Sequence, residues 1–493
     1  MKANLPTSPA SYRMLIGREW CNAASGERFS RQSPAHDVPV SEYPLAAASD
    51  VDRAVAAARK AFDEGPWPRM SGAERAKILL KISAAVRAHA EQLALIETLE
   101  SGKPIRQARD EMEWAAGIWD YAATLPRHLY GDSYNALGEA TLGLTLREPI
   151  GVVGMITPWN FPLLIISQKL PFALAVGCTA VVKPSEFTSG TTLRLGQLLL
   201  DADVPEGVVN IVTGYGDPAG QRLAEHPDVD MISFTGSTAV GRKVMAAASG
   251  NLKKVGLELG GKNPQIVLGD ADLEAAASAI VFGVYFNMGE CCNSGSRVLV
   301  ERGVAEKLQA LVVERAKRVV IGDSLDEKTQ VGAIINDRQL EKIQGYVEQG
   351  RRDGAELCLG GRRMATERGR FFEATVFANV APTAVIAREE IFGPVLSVVP
   401  FDTPEEAVQL ANGTSYGLSA AVWTRDGDKA MRLARQVRAG TLWINTFLEG
   451  HPELCFGGYK QSGLGRELGR FSIDEFTELK SVIMHLGPHH PAW

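Results

Sequence analysis

Cysteine is scarce in this chain, and its six residues (Cys21, Cys178, Cys291, Cys292, Cys358 and Cys455) are too scattered for a disulfide framework. The adjacent pair Cys291-Cys292 lacks metal-ligand spacing and no CxxC occurs, so no metal site or dithiol redox motif is expected. A reducing, cytoplasmic setting follows as the expectation. Basic blocks are also missing, and a formal net charge of -6 over 493 residues leaves no clustered footprint for neutralising phosphates. Nucleic acid is therefore excluded as a partner. Residues 1–13 contain no apolar core of the kind a secretory leader needs, so none is expected. The most apolar stretch, residues 163–182, is interrupted by Lys169 and Pro171 and flanked by strand-like segments. It reads as buried core, and no membrane partner is expected.

What remains is an ordinary globular composition in a chain long enough for two or three domains. The first part is helical. Ser49 or Asp50 opens a segment with Val51, Ala54, Val55, Ala58 and Phe62 at helical spacing. Ser71 followed by Glu74 is a capping-box signature, each side chain positioned to satisfy an orphan amide. The helix it starts carries Ile78, Leu79, Ile82, Val86 and Leu93, with Gly102 and Pro104 punctuating its far end. From about Thr141 the pattern changes to alternation, which predicts a half-exposed strand over 141–147. Short β-branched runs follow at 152–157, 180–183, 208–213 and 231–235, separated by helix-length stretches. Strands alternating with helices imply crossover units and a parallel sheet covered on both faces. A second such series, at 265–268, 297–300, 395–401 and 441–445, begins after Gly260-Gly261, which predicts a second α/β domain. Residues 488–493 read as a frayed tail.

Three segments bring together residue types that do chemistry. Phe286-Asn287-Met288-Gly289-Glu290-Cys291-Cys292-Asn293-Ser294-Gly295 puts a cysteine in a polar, glycine-flanked turn between a helix-like stretch and a strand. A thiolate there would be a nucleophile, whereas cysteine in general is a small buried hydrophobe. Leu257-Glu258-Leu259-Gly260-Gly261-Lys262-Asn263-Pro264 sets a lone carboxylate between leucines. Desolvation would raise it towards a useful general base; an ion-paired glutamate at a strand edge is the plainer alternative. Pro158-Trp159-Asn160-Phe161-Pro162 holds an amide side chain between prolines, where it either donates to an oxyanion or makes a turn. Gly214-x-Gly216 with Gly220 only superficially resembles a dinucleotide fingerprint, its last spacing being one residue too long.

Taken together, these segments closely resemble the aldehyde dehydrogenase superfamily. The resemblance runs from about Met14 to Leu486 and includes Val182-Lys183-Pro184-Ser185-Glu186, Phe234-Thr235-Gly236-Ser237-Thr238, Glu390-Ile391-Phe392-Gly393-Pro394 and Phe456-Gly457-Gly458-Tyr459-Lys460. It implies an α/β fold with two Rossmann-like domains and a small β oligomerisation element. The expected boundaries are 1–130 with 150–258 for an NAD-binding domain, 259–470 for a catalytic domain, and 131–149 with 471–493 for oligomerisation. It also implies oxidation of an aldehyde to its carboxylic acid with NAD as cofactor. Cys292 would attack the carbonyl, Asn160 and the Cys292 amide would hold the oxyanion, and Glu258 would activate the water that hydrolyses the thioester. The glutamate at position 258 argues against acyl transfer to CoA, because relatives that perform it lack that residue. A non-catalytic relative would be expected to have lost Cys292. Cys291 matches a variable position and is read as a neighbour.

On the cofactor side the resemblance places Ile156, Trp159, Lys183, Glu186, Gly216, Phe234, Gly236, Ser237, Gly241, Leu259, Glu390 and Phe392. Gly236-Ser237 would open a helix whose free amides face the pyrophosphate. Glu186 would accept the ribose hydroxyls and repel a 2′-phosphate, favouring NAD over NADP. The aldehyde tunnel would be lined by Phe161, Leu164, Ile165 and Gln168, by Met288, Glu290, Cys291 and Asn293, and by residues 449–456, Phe456 among them. Glu449 and Glu453, if they face the tunnel, would favour a cationic aminoaldehyde or betaine aldehyde; as solvated loop charges they would confer no preference. Gln168 stands where an aromatic ring would help such a substrate. Glu290 departs from the neutral residue common beside the nucleophile. The strand near 141–147 and the segment 481–486 match oligomerisation elements, so a homodimer or homotetramer is expected.

Overall fold

The computed structural model describes residues 5–488; the tail residues 489–493 lie outside the described residues. Among the described residues four sheets form, and two of them organise the molecule. In the first, the parallel strands Val152–Ile156, Thr179–Lys183, Val209–Ile211, Met231–Thr235 and Lys254–Glu258 pair so that the chain-order first strand lies between the second and the fourth. Met14–Ile16 and Glu19–Cys21 extend one edge, and Gly463–Leu464 pairs antiparallel with Lys254–Glu258 at the other.

Strand Val152–Ile156 shows how this sheet is covered. All five residues are buried, but they alternate in destination. Val153 and Met155 pack with Leu79, Met112 and Phe172 on one face, whereas Val152 and Ile156 pack with Val55, Leu223 and Val244 on the other. A strand buried on both faces needs apolar residues at every position, as the sequence has here. The apolar stretch at 163–182 divides into helix Pro162–Val176, with every residue but Gln168 buried, and strand Thr179–Lys183. Among the described residues no helix is long and apolar enough to cross a membrane.

The chain leaves this sheet at Glu258 and enters the second at Pro264. There the parallel strands Pro264–Val267, Arg297–Glu301, Thr375–Ala378, Val395–Phe401, Ser419–Trp423 and Thr441–Ile444 form a seven-stranded sheet with antiparallel Glu356–Leu359 at its edge. The remaining strands make two small sheets. One joins Ala10–Ser11, Arg28–Gln32 and Pro39–Pro44. The other pairs Thr141–Pro149 with Thr477–His485 along its whole length, with Ser133–Tyr134 outside.

The first helix begins at Ala48, a residue or two earlier than predicted, because the Asp50 carboxylate accepts from the amide of Ala47 and so caps the turn from within. Ser71 and Glu74 do form a reciprocal capping box, with Glu74 Oε2 2.8 Å from the Ser71 amide. The helix it opens ends at Ala88, however, and Leu93 belongs to a separate helix, Ala90–Ser101. His89 breaks the axis while keeping both helices' apolar faces on one core, a kink that periodicity alone does not reveal.

Candidate active site

Because the first strand of the parallel sheet lies beside the fourth, the segments leaving their carboxyl ends diverge. After Ile156 the chain enters helix Pro162–Val176 on one face, and after Thr235 it enters helix Thr238–Ala248 on the other. Such a divergence opens a crevice at the carboxyl ends of the strands. Asn160 lies on one lip, Gly236 and Ser237 on the other, and Glu258 ends the next strand, opposite Thr235 and Gly463.

Glu258 is 4% exposed, and neither carboxylate oxygen has a hydrogen-bond partner. Burial pushes its pKa well above the carboxylate range; the charge of Glu467 adds to this and that of Lys169 opposes it. Lys169 is itself fully buried and donates to Ser233 Oγ at 3.0 Å and to Glu467. Space for the Glu258 carboxylate depends on Gly457, where a Cβ would fall 2.9 Å from Oε1.

The turn before Cys292 is left-handed for three residues running, with φ of 49° at Asn287, 60° at Met288 and 71° at Gly289. Gly289 has no alternative there, since a Cβ would sit 2.3 Å from the Gly393 carbonyl oxygen. Side-chain amides hold the strained loop. Asn287 Nδ2 donates to the carbonyls of Asn160 and Glu290, both at 3.0 Å, and Asn160 Nδ2 donates to the Glu290 carbonyl at 3.1 Å. Asn263 Nδ2 donates to the Cys292 and Ser294 carbonyls at 2.8 and 2.9 Å, while its own oxygen accepts from the Ser419 amide. The Asn160 amide has two N–H groups, so the bond to Glu290 orients it and leaves one free. The Cys292 thiol donates to Asn293 Oδ1 at 3.2 Å, and the neighbouring Cys291 together with burial raises its pKa well above the usual thiol value.

Two cavities meet at this point. A tunnel of about 210 Å³ and a cleft of about 620 Å³ share only Thr235, Glu258, Leu259 and Cys292 among their linings. The tunnel brings together every predicted substrate-side residue of the first group (Phe161, Leu164, Ile165, Gln168) along with Cys291, Asn293 and Phe456. Met288 and Glu290 do not reach it. Glu290 turns away to accept from the Ile335 amide at 3.2 Å, and burial pushes its carboxyl pKa well up. Of the two loop carboxylates, Glu449 lines the tunnel and Glu453 does not.

The cleft gathers Asn160, Trp159, Glu186, Gly236, Ser237, Leu259, Glu390 and Phe392. Ser237 caps helix Thr238–Ala248, its hydroxyl accepting from the Val240 amide. Glu390 accepts from the Gly261 amide at 3.1 Å, and its approach requires a glycine at 260, where a Cβ would meet Oε2 at 2.3 Å. Trp159 and Phe392 pack edge to face at 5.3 Å. Ile156, Lys183, Gly216, Phe234 and Gly241 line neither cavity. Lys183 spends its ammonium on the Pro184 and Gly214 carbonyls, and burial lowers its pKa to about 8. Phe234 and Gly241 underlie the lip, the first packed beneath Gly236 and the second against Leu259.

Sequence reasoning missed Asn263, Thr235, the Lys169–Glu467 pair and the tunnel rings Trp114, Phe286 and Trp443. A lysine in the middle of an apolar stretch was a readable signal for Lys169. The tryptophans carried none, because they come from a helix and a strand far away in sequence.

The sequence profile of the aldehyde dehydrogenase family matches residues 20–482. A betaine aldehyde dehydrogenase of Bacillus subtilis is 43% identical over 98% of this chain and 99% of its own length. The crystal structure of an NAD-dependent aldehyde dehydrogenase from Sinorhizobium meliloti superposes with a TM-score of 0.97 at 53% identity, covering 99% of this chain and 97% of that one. An indole-3-acetaldehyde dehydrogenase from P. syringae, solved with NAD+, is 42% identical with a TM-score of 0.96, covering 97% of this chain and 98% of its own.

Two outcomes follow from this geometry. Gly289→Ala should cost about 2 kcal/mol or more, because neither the left-handed backbone nor the Gly393 carbonyl can yield; thermal unfolding against wild type measures it, and an unchanged melting temperature would contradict the assignment. Since Lys169 holds Glu258 down and Glu467 pushes it up, Lys169→Met should raise the pH at which Glu258 ionises and Glu467→Gln should lower it. The carboxyl infrared band lost in Glu258→Gln reports that ionisation, and shifts in the same direction for both variants would show that the pair does not act through charge.

Proposed function

The chain belongs to the aldehyde dehydrogenase family, and on that premise we propose that it oxidises an aldehyde to its carboxylic acid with NAD through a covalent intermediate on Cys292. The observation that carries the reading is the junction itself: one thiol and one desolvated carboxylate lie where an apolar tunnel meets a cleft of dinucleotide size.

The cleft suits the cofactor. The start of helix Thr238–Ala248 presents amides and the positive end of its dipole to a pyrophosphate. Glu186 and Glu390 offer carboxylates for two riboses, and Glu186 disfavours a 2′-phosphate. When bound, NAD supplies the hydride acceptor.

The rest falls to the protein. Cys292 rests as a thiol, and its proton passes to solvent water as it becomes the attacking thiolate; Glu258, buried beside it, serves the later hydrolysis. The thiolate sulfur bonds to the aldehyde carbon, and the carbonyl π electrons become an alkoxide held by the free N–H of Asn160 and the Cys292 amide. Loss of the C–H electron pair as hydride leaves a thioester. Glu258 then withdraws a proton from water as the oxygen bonds to the acyl carbon, and the C–S bond breaks to release the acid and regenerate the thiolate. A carboxylate with a raised pKa is a stronger base, at the cost of activity when pH falls below that pKa.

We assign the substrate as an aminoaldehyde or betaine aldehyde. Trp114, Phe161, Phe286, Trp443 and Phe456 line the tunnel, and so does the exposed Glu449. Aromatic faces attract a desolvated cation and a carboxylate steers it inward. Gln168 does line the wall, along with rings from other elements. Strand Thr477–His485 lies at the edge of its sheet with Leu479 and Ile483 exposed, which supports a homodimer or homotetramer. The free thiols of all six cysteines suit a reducing, cytoplasmic setting.

In stopped flow, Glu258→Gln should keep a first burst of NADH and lose steady turnover roughly a hundred-fold or more, whereas Cys292→Ala should lose both. A burst that falls as far as the steady state in Glu258→Gln would remove Glu258 from deacylation. A kcat/KM series on size-matched cationic, neutral and anionic aldehydes should rank the cation first, with Glu449→Gln narrowing its lead roughly three- to ten-fold. A neutral aryl aldehyde at the top of that series would overturn the cationic assignment.

A further inference from the structure

Behind the turn that carries Asn160 lies an ion cluster for which the chemistry above has no use. Glu97, Lys103 and Glu111 are each at most 1% exposed. Glu97 stands in helix Ala90–Ser101, Glu111 in helix Ile105–Ala122, and Lys103 in the short link between them, just after Gly102 reverses the backbone at φ 84°. Lys103 Nζ donates to Glu97 Oε1 at 2.8 Å and to Glu111. The same ammonium lies 4.6 Å from the centroid of the Phe161 ring. The second oxygen of Glu97 accepts from the Leu163 amide at 3.3 Å, an otherwise orphan donor in the first turn of helix Pro162–Val176.

The turn is therefore gripped twice, at the Phe161 ring by a cation and at the Leu163 backbone by that cation's counter-ion. Asn160 is the next residue toward the N-terminus. Lys103 also acts electrostatically on Glu290, whose carbonyl orients the Asn160 amide. Three ionisable groups out of water stabilise a fold less well than apolar residues of the same volume, so what such a cluster offers is a fixed geometry.

We infer that Glu97 and Lys103 are positioning residues, which hold the Asn160 amide at the oxyanion and the Phe161 ring in the tunnel wall without touching substrate. The inference rests on the reading of Asn160 as the oxyanion donor. Glu111 has a lesser part: burial raises its carboxyl pKa, and a glutamine keeps an oxygen that can accept from Lys103 at nearly the same volume.

A double-mutant cycle on the full-length enzyme tests this, with the NADH burst rate constant, the KM for NAD and thermal unfolding as readouts. Glu97→Gln should slow the burst roughly ten-fold or more, with the KM for NAD within about two-fold. Glu111→Gln should stay within about two-fold of wild type in every readout. In an Asn160→Ala background Glu97→Gln should slow the burst by no more than about two-fold further, because its effect passes through Asn160. An equal slowing in both backgrounds would mean general structural damage and would overturn the inference, as would a wild-type burst in Glu97→Gln. If Glu97→Gln does not fold, the double variant Glu97→Gln with Lys103→Met, which removes both charges, replaces it and is held to the same outcomes. A wild-type burst in Asn160→Ala alone would overturn the oxyanion reading first, and this inference with it.

Discussion

Glu258 ends its strand with both carboxylate oxygens out of water and without a hydrogen-bond donor, and burial carries its pKa well above that of an ordinary carboxyl. Much of the surrounding structure answers to that condition. Gly457 yields the space of a side chain so that the carboxylate fits at all. Lys169 limits how far the pKa rises, while its partner Glu467 limits Lys169 in turn. A fully solvated glutamate would be too weak a base near neutrality, and one buried with no cation nearby would rarely ionise. Of the buried pair, Lys169 works against the rise and Glu467 works with it more strongly, so the carboxyl stays well above its ordinary range.

The fold delivers this residue and its partner from different sheets. Glu258 arrives at the carboxyl end of a parallel strand, where crossover helices leave a crevice; Cys292 arrives on a strained loop entering the second sheet. A strand end is held by its sheet neighbours, and the left-handed loop lies outside any sheet and is braced by side chains. Asn287, Asn160 and Asn263 all spend side-chain amides on carbonyls of the Cys292 loop or its neighbours. Three carboxamides do there what sheet hydrogen bonds do for Glu258.

Local signals made much of this legible. The β-branched runs found the central parallel strands because burial on both faces leaves apolar residues at every position. Cys292, Glu258 and Asn160 each stood in a motif whose glycines or prolines announced unusual backbone, and the structure sets them around one junction. Two kinds of feature escaped. The break at His89 leaves the apolar period unchanged on either side, so periodicity assigns Leu93 to the helix before it. Trp114 and Trp443 reach the tunnel only through packing, and nothing beside them in sequence differs from an ordinary helix face or strand end. The resemblance sets Glu290 beside the tunnel and leaves Glu453 either in it or in solvent, and backbone direction turns the first to Ile335 and the second to solvent. Sequence neighbours of a nucleophile are not necessarily its neighbours in space.

The tunnel and the cleft are lined by different residues and share only the few around the thiol. Two molecules can thus arrive at one sulfur by different roads, neither having to pass the other. On the proposed function, a longer aldehyde would extend along the tunnel without crowding a dinucleotide in the cleft. A substitution in the wall of one leaves the lining of the other untouched, except at Thr235, Glu258, Leu259 and Cys292, which belong to both.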